Sequence, residues 1–163
     1  MIDQSTVIAL LSVFISVLSL AVSGAALWFT WLRRGRLSMT KPTVIFFGYD
    51  PEPRLTPKIF LRTLLYSTSA KGQVVENMYV KLCGTGSEQV FSFWGYGETH
   101  DPVRGSGLFV GQTGVALNHQ FVLSTQHPGY QFAEGLYSIV VFVRVVGKSS
   151  SIKLNEISLT LSG

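Results

Sequence analysis

Residues 135–146, GLYSIVVFVRVV, decide the fold class of the larger part of this chain. Tyr137, Ile139, Val141, Val143 and Val145 fall at every second position. That is the period of a β-strand, whose successive side chains point to opposite faces. The other face carries Ser138 and Arg144 with Val140, Phe142 and Val146. A strand apolar on both faces is predicted to be central and covered. Working outward, period-two alternation predicts strands over 43–48, 58–66, 73–83, 89–96, 108–111, 115–123, 136–146 and 152–162. Turn formers separate them, among them Pro51 and Pro53, Gly84 and Gly86, Pro102, Gly114, Pro128 and Gly129, and Gly147. In the last strand Ile152 and Leu154 are out of phase with Ile157, Leu159 and Leu161, which predicts a bulge at Asn155 and Glu156. Arg62 and Glu76 each interrupt an apolar face, and a cross-strand ion pair between them would accommodate both.

The approach to that central strand is Phe132, Ala133, Glu134, Gly135, Leu136 and Tyr137. It resembles the Tyr corner of immunoglobulin-like sandwiches, in which a Gly turn and a Tyr open the penultimate strand. The resemblance implies an all-β, Ig-like β-sandwich of seven or eight antiparallel strands over residues 43–163. Gly135 and Tyr137 would be its structural corner, with the Tyr hydroxyl bonded to upstream backbone. It implies no activity, because function lives in sites and not in folds. The Cys–Trp–Cys pattern of antibody domains is absent, since Cys83 is the sole cysteine. One cysteine also excludes an intrachain disulfide and a Cys-based zinc site.

Upstream the pattern changes to that of a membrane helix. Residues 4–32 contain no charged side chain, and 7–32 are almost wholly apolar or small. A helix over 7–32 would rise about 39 Å, enough to cross the ~30 Å hydrocarbon core with some tilt. The predicted organisation is a short tail over 1–6, a single transmembrane helix over 7–32, a basic juxtamembrane linker over 33–42 and the sandwich over 43–163. A cleaved signal peptide would need a basic leader, which Met1 to Ser5 lack, and the apolar run continues past Ser23, Gly24, Ala25 and Ala26. Arg33, Arg34, Arg36 and Lys41 follow the span, whereas Asp3 precedes it. Basic flanks stay on the cytoplasmic side, so the N-terminus is expected outside and the C-terminal domain in the cytoplasm, at a plasma (inner) membrane of bacterial type. Trp28 and Trp31, with Arg33, Arg34 and Arg36, are the expected interfacial anchors. Residues 42–163 hold nine basic and eight acidic side chains, so the net charge of +4 belongs mainly to the flank. A nearly neutral domain argues against nucleic-acid binding.

Small residues within the span form a series. Ala9, Ser12, Ser16, Ser19, Ser23, Ala26 and Thr30 are spaced alternately by three and four, which places them on one helix face. Small side chains let helix backbones approach closely, so this face is expected to pack against another copy or another membrane protein. The domain's low charge, 17 charged side chains in 122 residues, also suits a surface covered by neighbours.

No catalytic, cofactor-binding or metal-binding constellation emerges. His100, His119 and His127 lack ligand spacing, and the glycines at 105, 107 and 111 precede no helix that would receive a phosphate. The aromatic stretch 91–97, FSFWGYG, is the prominent surface candidate. With Phe91 and Phe93 inward, alternation turns Trp94 and Tyr96 outward; together with Tyr130 they form the candidate partner or ligand surface. The reading is a non-enzymatic, single-pass membrane protein acting as subunit, adaptor or scaffold of a membrane complex, in contact with the lipid bilayer and with copies or partners. The alternative is a membrane-anchored module that senses a small molecule or glycan.

Overall fold

The computed structural model describes residues 3–32, 35–49, 55–84, 86–96, 107–124 and 130–162, and of Trp31 and Tyr96 the backbone alone. The charge-free stretch forms one helix, α1 Gln4–Leu27, prolonged by a wide π-type turn Trp28–Leu32. No residue of α1 is buried. It is long and apolar enough to cross a membrane. Its polar side chains serve its own backbone: Ser12 Oγ donates to the Ala9 carbonyl at 2.8 Å and Ser16 Oγ to that of Ser12 at 2.8 Å. Thr30 Oγ1 donates to the Ala26 carbonyl at 2.7 Å. These three hydroxyls carry no bare donor into hydrocarbon, whereas Ser19 and Ser23 make no such bond among the described residues.

The rest of the described residues are mainly antiparallel β. The strands are β1 Leu37–Met39, β2 Val44–Tyr49, β3 Pro57–Ser67, β4 Gln73–Gly84, β5 Ser87–Tyr96, β6 Leu108–Val110, β7 Val115–Leu123, β8 Gly135–Val145 and β9 Ile152–Leu161. They form one nine-stranded sheet in the order β1-β3-β7-β5-β4-β8-β9, with β2 also on β3 and β6 also on β4. The sheet curls until its ends approach, where Asn155 Nδ2 donates to the Thr40 carbonyl at 3.3 Å. The result is an almost closed barrel around an apolar interior. The alternation read from β8 sets that interior: Tyr137, Ile139, Val141, Val143 and Val145 are all buried, between β4 and β9. Ile59, Leu61 and Leu65 of β3, Val80 and Leu82 of β4, and Phe121 of β7 complete it. Truncating one of these, for example Leu61→Ala, should cost about 2–5 kcal/mol.

Four details differ from the sequence reading. Part of the predicted linker is strand: Leu37 and Met39 are buried, in register with Ser67 and Leu65, because their phase matches the core. β1 and β2 are two pieces of one edge, parted around Pro42, which has no N–H for the ladder; Thr40 and Thr43 N–H still reach the carbonyls of Leu64 and Arg62. The β8–β9 register shifts between Val141 and Phe142, so the extra residue is Leu154, one place before the predicted bulge. Glu76 pairs with Arg144 instead of Arg62, through two bonds of 3.1 Å. The cause is a bulge in β4 between Val75 and Asn77, which sets Glu76 beside β8, while Arg62 stands between Val44 and Asn118 on the other side of the sheet order.

Candidate functional site

The aromatic stretch of β5 is where local irregularity matters most. Phe91 is fully buried opposite Leu123, and Phe93 is half-buried opposite Phe121. The register then shifts, and Trp94 and Gly95 share Gln120 as their opposite residue. This bulge reverses the alternation. Trp94 stays 40% exposed, but Tyr96 falls opposite His119, an inward position of β7. The side chain of Tyr96 lies outside the described residues.

Tyr130 lies in another environment. Its ring meets Phe91 at 6.4 Å and Phe132 at 5.5 Å, both edge-on. Phe132 in turn stacks on Phe91 at 6.0 Å and meets Phe47 edge-on at 5.0 Å. Burial, with Tyr137 and Tyr49 nearby, pushes the Tyr130 hydroxyl up to about 12. Tyr130 belongs to an aromatic plug on the inner side of β5, and Trp94 stands at the bulge on the outer side. The structure does not bring Trp94 and Tyr130 onto one face.

Gly95, the residue after Trp94, ends a cross-strand row on the outer face. Phe46 of β2 stands opposite Phe60 of β3, Phe60 opposite Gln120 of β7, and Gln120 opposite Gly95. Phe46 and Phe60 stack at 5.5 Å, and Phe46 and Val44 remain 54% and 52% exposed. Sequence reasoning missed Phe46 and Phe60. The signal was present, since Val44 and Phe46 share a phase, but nothing in the chain shows which face of an edge strand meets solvent.

The interior holds one polar side chain of note. His119 has zero exposure, lies 6.3 Å from the Phe93 ring, and has no hydrogen-bond partner on either nitrogen among the described residues. Desolvation lowers its pKa to about 4, so it is neutral at physiological pH. Cys83 is half-buried, with Sγ 3.7 Å from Glu88 Oε2. Burial first, then the Glu88 charge, raises the pKa of its thiol. That is the opposite of what an activated nucleophile needs. Among the described residues no group of three His, Cys, Asp or Glu is placed to hold a metal.

At the residues read as a corner, Tyr137 Oη donates to the Ala133 carbonyl at 2.9 Å, and Gly135 takes a φ of +149° at the start of β8. Of the predicted interfacial residues, Trp28 is 58% exposed and Arg36 is exposed with its backbone docked on Thr68. Arg33 and Arg34 lie outside the described residues. Ala9, Ser12, Ser16, Ser19, Ser23, Ala26 and Thr30 are all exposed along α1 and its continuing turn.

No known protein family and no curated protein matches this chain. Among solved structures, the CooA pilin subunit from enterotoxigenic Escherichia coli aligns with 76% of this chain and 95% of its own, at 11% identity and a TM-score of 0.36.

Proposed function

We propose that this chain is a non-enzymatic, single-pass inner-membrane protein with an Ig-like sandwich in the cytoplasm, acting as a subunit, adaptor or scaffold of a membrane complex. The observation that carries this reading is α1: 24 helical residues, none buried, with no charge along them. Such a surface needs lipid or other helices around it. The stripe from Ala9 to Thr30 supplies a face on which a second helix packs closely; Ser12, Ser16 and Thr30 turn their hydroxyls onto their own carbonyls, and Ser19 and Ser23 keep theirs for a neighbouring helix. The outer-face aromatics, Phe46 stacked on the half-buried Phe60, and Trp94, are the domain's surface for a protein partner or another copy, since exposed aromatics make good contact anchors. The Tyr137 to Ala133 bond supports the Ig-like assignment.

The test is crosslinking of the full chain in membranes. Ser16→Leu with Ser19→Leu should reduce the crosslinked species, because each Leu pushes the helix backbones apart. Crosslinked oligomers that persist unchanged in the double variant would remove the stripe from the account. Persistence in Phe46→Glu with Trp94→Glu as well would remove the sandwich surface.

A further inference from the structure

The path from α1 into the sandwich is very short. Leu32 ends the helical turn, and Gly35 is already docked. Gln73 Nε2 donates to the Gly35 carbonyl at 2.6 Å. Arg36 N donates to Thr68 Oγ1 at 2.8 Å, and Thr68 N returns a bond to the Arg36 carbonyl at 2.9 Å. Three Cα steps separate Leu32 from Gly35, which span at most about 11 Å. Chain connectivity alone therefore holds the turn 68–72 close to the end of the apolar helix. If α1 spans the bilayer, as proposed above and as this inference requires, that turn sits near headgroup level.

The neighbours of the turn are unusual. Ser67 N donates to the Gly111 carbonyl at 3.0 Å, which sets the turn 111–114 beside it. Gly72 lies against Phe109, so closely that a Cβ there would come within 2.5 Å of the ring. Phe109 pairs with Val74 in the ladder, and the Val74 carbonyl accepts Val146 N–H at 2.9 Å. Three adjacent segments thus align Phe109, Val74 and Val146, which are 61%, 41% and 59% exposed. Contiguous exposed apolar side chains mark a contact surface. Lys71 and Lys148 lie at the turns that border this row, Arg36 pairs with Thr68 just before β1, and none of the three has an ion-pair partner among the described residues. The nearby acid, Glu76, is held by Arg144.

An apolar row rimmed by free cations, within reach of a membrane span, matches one surface: an anionic bilayer interface, where apolar side chains enter the headgroup layer and cations meet lipid phosphates. We propose that Phe109, Val74 and Val146, with Lys71 and Lys148, form a docking face that lays the sandwich against the leaflet from which its own anchor emerges. The domain would then be held at a fixed attitude to the membrane instead of swinging on its linker.

The full chain carrying Cys83→Ser would be reconstituted in vesicles of phosphatidylcholine and phosphatidylserine. An environment-sensitive fluorophore would be placed on Leu20→Cys in the span, on Gln112→Cys beside the row, or on Ser87→Cys at the far end of the barrel. Lipids with a nitroxide on the acyl chain should quench position 20, and lipids with a headgroup nitroxide should quench 112 but not 87. Lys71→Gln with Lys148→Gln should lower the docked-to-undocked ratio roughly 30-fold at low salt, and Phe109→Ser should weaken it further. Quenching at 112 no greater than at 87, or indifferent to these substitutions, overturns the docking face while leaving the span intact. That is also the outcome if a protein partner is the true occupant. Absence of quenching at 20 overturns the spanning reading itself, and docking with it.

Discussion

Gln73 Nε2 donates to the Gly35 carbonyl at 2.6 Å, a bond across 38 residues that ties the first residues after the helix to the start of β4. Its other amide atom, Oε1, is buried without a partner among the described residues, which leaves this one donation to hold the side chain. Gln73→Ala should cost about 1 kcal/mol, the usual net value of a partly buried hydrogen bond. The effect should be local. Amide exchange at residues 35–39 should accelerate while β4 and β8 keep their protection; uniform acceleration would mean that the bond supports the whole barrel.

His119 makes stability depend on acid. Its pKa is lowered to about 4 in the fold, against about 6.5 in the unfolded chain. The folded state therefore binds fewer protons than the unfolded state below pH 6.5. Its contribution is fully present above pH 6.5 and is lost as pH falls toward 4. Between pH 7.5 and 5 the loss should be about 2 kcal/mol. His119→Leu should flatten that slope and be no less stable at neutral pH, because it removes two orphaned nitrogens. Urea midpoints at the two pH values decide it, and equal slopes in both proteins would clear His119 of the effect.

Gly114 occupies a backbone conformation that other residues avoid, with φ at +75°. A Cβ there would also lie 2.7 Å from Leu64 Cδ1 and 2.9 Å from the Leu65 carbonyl. Gly114→Ala should destabilise by more than 1 kcal/mol, through strain and through crowding that backbone cannot relieve. Gly86→Ala, with φ at +83° and open space around it, should carry the strain alone. The difference between the two midpoints measures the crowding, and no difference would show that β3 yields.

Topology is open to direct measurement. In a Cys83→Ser, Ser150→Cys protein the new thiol lies on the exposed turn after β8. A membrane-impermeant maleimide should label it only after permeabilisation if basic flanks keep the domain in the cytoplasm. Labelling of intact cells would place the domain outside.

Much of the architecture was legible in the chain because it rests on local rules. A charge-free run of this length has few alternatives to an apolar helix, and period-two alternation with Gly and Pro between runs gave every strand from β2 to β9. The bond from the Tyr137 hydroxyl to upstream backbone was legible because it spans four residues. Leu37 and Met39 were read as linker because three residues are too few to show a period. The Arg62 to Glu76 pairing failed because registers between distant strands are set by the whole sheet.

The sequence by itself determined that there is one apolar helix, that the rest is antiparallel β, and which side chains of β8 face the core. Those follow from composition and periodicity, which act over a few residues. Tertiary structure alone decided that Tyr96 comes into register with His119, that Tyr130 joins the inner plug away from Trp94, and that Phe109, Val74 and Val146 form one row beside the anchor. Each depends on a bulge or a ladder register, and a shift of one residue in either moves a side chain to the opposite face of the sheet.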